Sequence, residues 1–179
     1  FALVRALNEV GVGYENKTVY LPQLLMSAEA AKAGFDVIKN AFPSRDAGDK
    51  CRFVIATVKG DIHDIGKNIV RLLLENYGFN VTDLGRDVPP EEVVRETVRL
   101  HAPLVGLSAL MTTTVPAMEE TIKQLRVSAP WCKVVVGGAV LNEEYARAIG
   151  ADKYARDAME TVRYSLIIND SLEKSEKSE

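Results

Sequence analysis

Residues 61–66 read Asp-Ile-His-Asp-Ile-Gly, which places an imidazole, His63, two positions after a carboxylate, Asp61. A histidine in this setting can ligate a metal through one ring nitrogen while a carboxylate fixes the other N–H. Taken alone, the same residues also suit a loop histidine bonded to Asp61 or to solvent. The flanking sequence says where the pair sits. Residues 53–58 are a continuous apolar run that reads as a buried strand, and residues 67–74 read as a helix, so His63 lies in a strand-to-helix turn. In an open α/β sheet, ligands gather at the carboxyl ends of the strands.

The elements that must hold this turn follow a regular pattern. Apolar strand candidates occur at 52–58, 79–84, 104–108 and 133–137, with a weak fifth near 152–155. Helical patterns fill 66–77, 90–101, 115–128, 142–149 and 157–168. Such alternation predicts a parallel sheet, and five strands suggest the flavodoxin-like order 2-1-3-4-5 with its switch point beside the first strand. Ahead of this α/β domain (51–168), residues 1–42 read as a helical cap, part of a four-helix bundle. Gly11 and Gly13 should end or loosen its first helix, and Pro22 fits the first turn of its second. Residues 43–50 are polar and turn-rich, a linker, and 169–179 form a polar tail expected to fray. The chain begins with Phe1 in mid-pattern and reads as a module cut from something longer.

Composition narrows the function. The chain has 179 residues, 47% hydrophobic and 26% charged, with a net charge of −3. It has no basic cluster for nucleic acid and no apolar run of membrane-spanning length. With no signal peptide either, a cytoplasmic protein is expected. Cys51 and Cys132 stand apart and suit small apolar fillers. His101, the other histidine, falls at a helix end on the far side of the sheet, where the dipole favours it.

The other turns at the predicted binding edge are small and hydroxyl-rich. The third strand runs into Ser108, Leu110 and the Thr112-Thr113-Thr114 run, and the fourth ends in Gly137-Gly138-Ala139. Together they describe a narrow, glycine-walled cleft entered beside one histidine, better suited to a long, neutral or polar ligand than to a compact anion. A phosphate-binding P-loop does not fit, because five residues rather than four separate Gly60 from Gly66 and Asn68 replaces the Ser or Thr. A zinc site would need two or three further ligands. A single protein ligand makes sense for a metal that arrives inside its own macrocycle.

Asp61-x-His63-x-x-Gly66, then Ser108-x-Leu110, then Gly137-Gly138 resembles the three-part signature of cobalamin-binding domains. Residues 58–70 are similar to cobalamin-dependent methionine synthase and its corrinoid-protein relatives, and Leu21-Pro22-Gln23 resembles their helical cap. The resemblance implies that His63 replaces the cofactor's dimethylbenzimidazole as the lower ligand of cobalt. It also implies that the nucleotide tail enters the cleft of Ser108, Leu110, Gly137 and Gly138. Asp61 would tune His63, with Thr114 standing where methionine synthase completes the relay with a serine. Ile62, Asp64, Ile65, Gly66, Thr112 and Ala139 are implied to border the cofactor, and Tyr14, Leu21 and Leu24 to cover its upper face.

The function so implied is a carrier of methylcobalamin. It would shuttle a methyl group from a donor to an acceptor thiol such as homocysteine, between partner methyltransferase domains or subunits, with a reductive-activation partner. Loss of methyl would detach His63 and be coupled to proton uptake at the Asp61–His63 pair. By this reading the chain is the cobalamin-binding part of a methyltransferase, not a complete enzyme. A cobalamin light sensor and the small subunit of an adenosylcobalamin mutase are the alternatives, and the helical cap favours methyl transfer over both.

Overall fold

The structure is a computed structural model and describes residues 2–41 and 50–176. Two helices come first, α1 (Ala2–Glu15) and α2 (Leu21–Ala41). The α/β part follows as β1 (Lys50–Thr57), α3 (Ile65–Asn76), β2 (Phe79–Asp83), α4 (Pro90–Leu100) and β3 (Leu104–Ser108). It continues as a short 3-10 turn (Thr112–Thr114), α5 (Val115–Ser128), β4 (Lys133–Gly137), α6 (Glu143–Ala148), β5 (Lys153–Tyr154) and α7 (Ala158–Glu176). All strand pairs are parallel and the order is β2-β1-β3-β4-β5, the arrangement predicted from the alternation. The expected linker lies outside the described residues, except for Lys50, which already belongs to β1.

Strand side chains alternate between two cores, as the pleat requires. Val54, Ala56, Val105, Val134 and Val136 pack on one face with Met118, Ile122 and Leu125 of α5. Phe53, Ile55 and Leu104 pack on the other with Leu73 and Leu74 of α3 and Met159 and Val162 of α7. Leu24, Ala28 and Ala31, spaced along one stripe of α2, are buried in this second core. The first two helices therefore lie on the α3–α7 side of the sheet.

Two boundaries differ from the sequence reading. Helix α1 does not stop at its glycines. Gly11 is buried where a Cβ would come within 2.8 Å of Met159 Cε, so its missing side chain lets α1 pack against α7. The helix closes further on, where Lys17 takes a left-handed conformation (φ 60°) and Thr18 N–H donates to the Gly13 carbonyl (2.8 Å). At α2, Gln23 Oε1 accepts the Tyr20 N–H (2.8 Å), which caps the turn containing Pro22. The other difference is the tail. Helix α7 runs to Glu176 because Asn169 is buried, accepts the Cys51 N–H (2.9 Å) and donates to Glu173 (2.7 Å).

The start of α3 is anchored by charge. Lys67 Nζ lies 2.5 and 2.6 Å from the two Asp83 oxygens at the end of β2, and 3.1 Å from Asn68 Oδ1. Its side chain is only 1% exposed. Asp83 also accepts from the Gly85 N–H (2.9 Å) and from Arg71 (3.3 Å). A buried ammonium that loses its partner costs far more than the pair contributes in net terms. Asp83→Ala is therefore expected to lower unfolding free energy by about 3–5 kcal/mol. Lys67→Met, which keeps the stem and removes the charge, should cost clearly less. Urea unfolding of both variants checks this, and equal losses would contradict it.

Candidate functional site

The His63 turn is built before any ligand enters. Val58 to Asp61 form a β-turn closed by the Asp61 N–H on the Val58 carbonyl (3.0 Å), with Gly60 at φ +84° in the position that requires a positive value. Asp87 Oδ1 accepts the Gly60 N–H (2.7 Å), and the Asp87 N–H donates to the Asp61 carbonyl (3.0 Å).

Asp61 is fully buried. Its Oδ1 accepts the His63 N–H (3.0 Å) and faces His63 Nδ1 at 2.8 Å. Its Oδ2 accepts the Leu110 N–H (2.6 Å), the Met111 N–H (3.3 Å) and the Thr114 hydroxyl (3.1 Å). Burial pushes the Asp61 carboxyl up, but the donors on His63, Leu110 and Thr114 outweigh it and hold the group well below the usual carboxylate range. An ionised carboxylate only accepts, so Nδ1 carries the ring proton and Nε2 keeps a free lone pair. The ring is 47% exposed and borders a cavity.

That cavity has a volume of about 650 Å³. Its sheet side is built on the alternating positions Ile55, then Gly106 and Ser108, then Val135 and Gly137, with Leu107 and Val136 between them also at its border. Helix α3 contributes Gly66, Ile69 and Val70, and α7 contributes Ala158 and Thr161. Gly138 sits at φ +139°, where a Cβ would fall 1.8 Å from the Ala109 carbonyl oxygen, so the loops after β3 and β4 touch through its bare backbone. Gly66 is the opposite case: a Cβ there meets nothing within 4 Å.

The structure brings most of the predicted residues together. Ile62, His63, Asp64, Ile65, Gly66, Ser108, Leu110, Gly137, Gly138 and Ala139 all line the cavity, joined by Tyr14, Leu21 and Leu24. Asp61 and Thr114 lie behind His63, and Thr114 reaches Asp61. Thr112 does not join them; it is exposed at the start of the 3-10 turn and is not among the lining residues, because that turn directs Thr114 inward instead. Sequence reasoning missed Gly106, Val135 and the segment from Tyr154 to Thr161. The first two share a strand face with Ser108 and Gly137, a period of two that was there to be used. His101 caps α4 in a left-handed conformation and stacks on Trp131, with centroids 4.3 Å apart. Burial raises the Cys51 thiol to about 11 and the Cys132 thiol to about 12, as befits fillers.

Among the described residues no three His, Cys, Asp or Glu cluster to hold a metal ion, so a metal at His63 must bring its other ligands. No helix among them is long and apolar enough to cross a membrane. A free Nε2 at a cavity mouth, with an open glycine beside it, fits a planar metal macrocycle carrying a tail: site and fold define a corrinoid-binding module.

Comparison with known proteins agrees. Residues 51–163 match the B12 binding domain model, and residues 2–39 match a second model of the same description. A dimethylamine corrinoid protein of Methanosarcina acetivorans is 42% identical over 163 residues, 89% of this chain and 76% of that protein. One from Methanosarcina mazei is 42% identical over 159 residues, 87% of this chain and 95% of that protein. The methanol:cobalamin methyltransferase complex MtaBC from Methanosarcina barkeri superposes with a TM-score of 0.82 at 32% identity, covering 94% of this chain and 65% of the matched one. The chain belongs to the B12-binding domain family and, within it, to the corrinoid proteins.

Two outcomes follow from this geometry. Asp61 stabilises the fold above the unfolded carboxylate pKa near ~4, and that contribution is lost as pH falls towards its depressed folded value. Thr114→Val removes one donor and should cost about 1–2 kcal/mol at neutral pH, with the gap to wild type narrowing in acid. Urea unfolding carried well below the unfolded carboxylate range measures it: the gap should stay level until pH nears the depressed folded value of Asp61 and close there, and a gap that never closed would speak against the assigned role. Gly66→Ala should keep or raise thermal stability, by up to about 1 kcal/mol, while weakening corrinoid retention.

Proposed function

We propose that this chain is the methyl-carrying module of a methyltransferase system, holding its corrinoid with His63 as the lower ligand. The observation that carries the reading is the oriented imidazole: Nδ1 is tied to a buried carboxylate and Nε2 is free at the cavity mouth. Around it Ile62, Ile65 and Leu110 are exposed apolar side chains, a rim that a flat macrocycle would cover. The bound corrinoid supplies the cobalt on which a methyl group is carried.

The chain's own residues bind, orient and shield. Asp61 keeps the Nδ1 proton in place and so aims Nε2 outward. With a corrinoid bound, His63 would hold the metal through Nε2, while the Asp61 carboxylate, supported by Thr114, would keep the Nδ1–H oriented. Ser108, Gly137 and Gly138 receive the nucleotide tail. Tyr14, Leu21 and Leu24 exclude water from the upper side, and their helices must shift to admit a partner.

The corrinoid relatives are named for dimethylamine and the superposed complex for methanol, which favours a small methylated compound as donor. The acceptor in this proposal is a thiol, with homocysteine the example offered by the methionine synthase resemblance. Partner methyltransferase subunits supply and accept the methyl group, and a reductive partner restores oxidised cofactor.

The test is to load the purified chain with methylcobalamin, remove free cofactor and compare the visible spectrum with that of His63→Ala. A nitrogen-ligated spectrum in wild type and a base-off spectrum in the variant are expected. Identical spectra would remove His63 from the metal, and failure of both to retain cofactor would remove the carrier function.

A further inference from the structure

Three side chains border the cavity from the first two helices: Tyr14 on α1, and Leu21 and Leu24 on α2. The helix ends that carry them are tied into one piece. The Gly13 carbonyl accepts the Thr18 N–H (2.8 Å), the Val19 N–H (3.0 Å) and the Thr18 hydroxyl (3.0 Å). A Cβ on Gly13 would fall 2.7 Å from Val19, so the connection lies directly on α1. A displacement of either helix end carries all three side chains with it.

The two helices are seated on the α/β part in different ways. On α2 the seat is ordinary apolar burial through Leu24, Ala28 and Ala31. On α1, Val10 and Tyr14 are only partly buried, while Gly11 beside them is buried with Met159 of α7 against it. A Cβ on Gly11 would stand 2.8 Å from Met159 Cε, 3.4 Å from Sδ and 3.8 Å from Cγ, so the thioether lies along bare backbone. Glycine weakens a helix interior, and its presence at this point permits a close approach that a side chain would prevent. Met159 is 4% exposed and follows Ala158, which borders the cavity, so one turn of α7 carries both a cavity wall and the seat of α1. Gly11 and Tyr14 are three residues apart and share a face of α1. The distance from α1 to Met159 therefore sets how far Tyr14 reaches over the cavity.

On the reading that Tyr14, Leu21 and Leu24 cover the upper side of the bound corrinoid, we propose that the Gly11–Met159 contact is what positions them, setting how closely the cap closes over that side. Glycine lets α1 come down onto α7. Methionine, unbranched and with three rotatable bonds, can follow α1 as the cap lifts and settles. A bulky residue at position 11 props the cap open, a small one at 159 leaves α1 unseated, and exchanging the two sizes seats it again.

The test loads the chain with aquocobalamin and follows azide entry at cobalt by visible spectrum, with free aquocobalamin as the reference. Wild type should react more slowly than the free cofactor. Gly11→Leu and Met159→Ala should each speed azide entry about tenfold by raising the open population. Gly11→Ala, whose Cβ meets only the far end of a flexible side chain, should stay close to wild type. The Gly11→Leu/Met159→Ala double variant should recover most of the lost protection. In the cofactor-free chain, hydrogen exchange over residues 9–20 should quicken in both single variants and slow again in the double variant, with the strands unchanged. Wild-type behaviour in both single variants, or a double variant as open as Gly11→Leu, would overturn the assignment of the Gly11–Met159 contact alone. Azide entry into wild type as fast as into free aquocobalamin would overturn the reading of the cap and this inference with it.

Discussion

One buried carboxylate holds the site together. Asp61 accepts hydrogen bonds from two loops that are distant in sequence, the turn after β1 through His63 and the loop after β3 through Leu110, Met111 and Thr114. A buried charge is tolerated only when such donors replace water, and here they do so on both oxygens. The same bonds that stabilise the ion fix the imidazole tautomer and its direction. Structural and functional demands on Asp61 are therefore one demand. The turn could not release the carboxylate without also releasing His63.

The cavity owes its existence to small residues placed where two layers would otherwise close. On β3, Gly106 lacks a side chain because the Phe53 ring lies over it; a Cβ would come within 2.7 Å of that ring. On the loop after β4, Gly138 allows backbone to touch backbone. On the covering layer, Gly66 of α3 and Ala158 of α7 keep the helices from filling the gap. Close packing elsewhere, in the two cores on either side of the sheet, makes this local looseness persistent. The first two helices add to one of those cores through Leu24 while Tyr14 and Leu21 face the same cavity. Their docking on the α/β part and the covering of the site are thus coupled.

Charge plays a separate, architectural part. Lys67 follows directly on the histidine turn, in a place where a phosphate-binding loop would present a free cation. Its ammonium is instead spent on Asp83 and Asn68, which ties the start of α3 to the end of β2. The carboxyl edge is left with an oriented imidazole, hydroxyls and glycines, and with Asp64, Arg156 and Asp157 as charges of both signs around the cavity. It offers no free ammonium from Lys67 to a compact anion, and its chemistry favours a neutral, extended cofactor.

Much of this was legible in the chain itself. Apolar runs of strand length alternating with helical patterns determine a parallel sheet, because no other layer arrangement buries both kinds of face. The spacing of Asp61, His63, Ser108 and Gly137 then puts the candidate chemistry at one edge, since each follows a strand. What lay beyond the sequence was decided by packing between elements far apart along it. Gly11 reads as a helix breaker, and only the presence of Met159 makes it a contact point. Asn169 reads as part of a fraying tail, and only Cys51 at the start of β1 gives it a partner. Asp83 shows no chemistry until α3 brings Lys67 to it. Thr161 reads as one more helix residue until the fold lays α7 across the cavity. Periodicity along a chain says which side of an element is buried; which element buries it is settled when the layers come together.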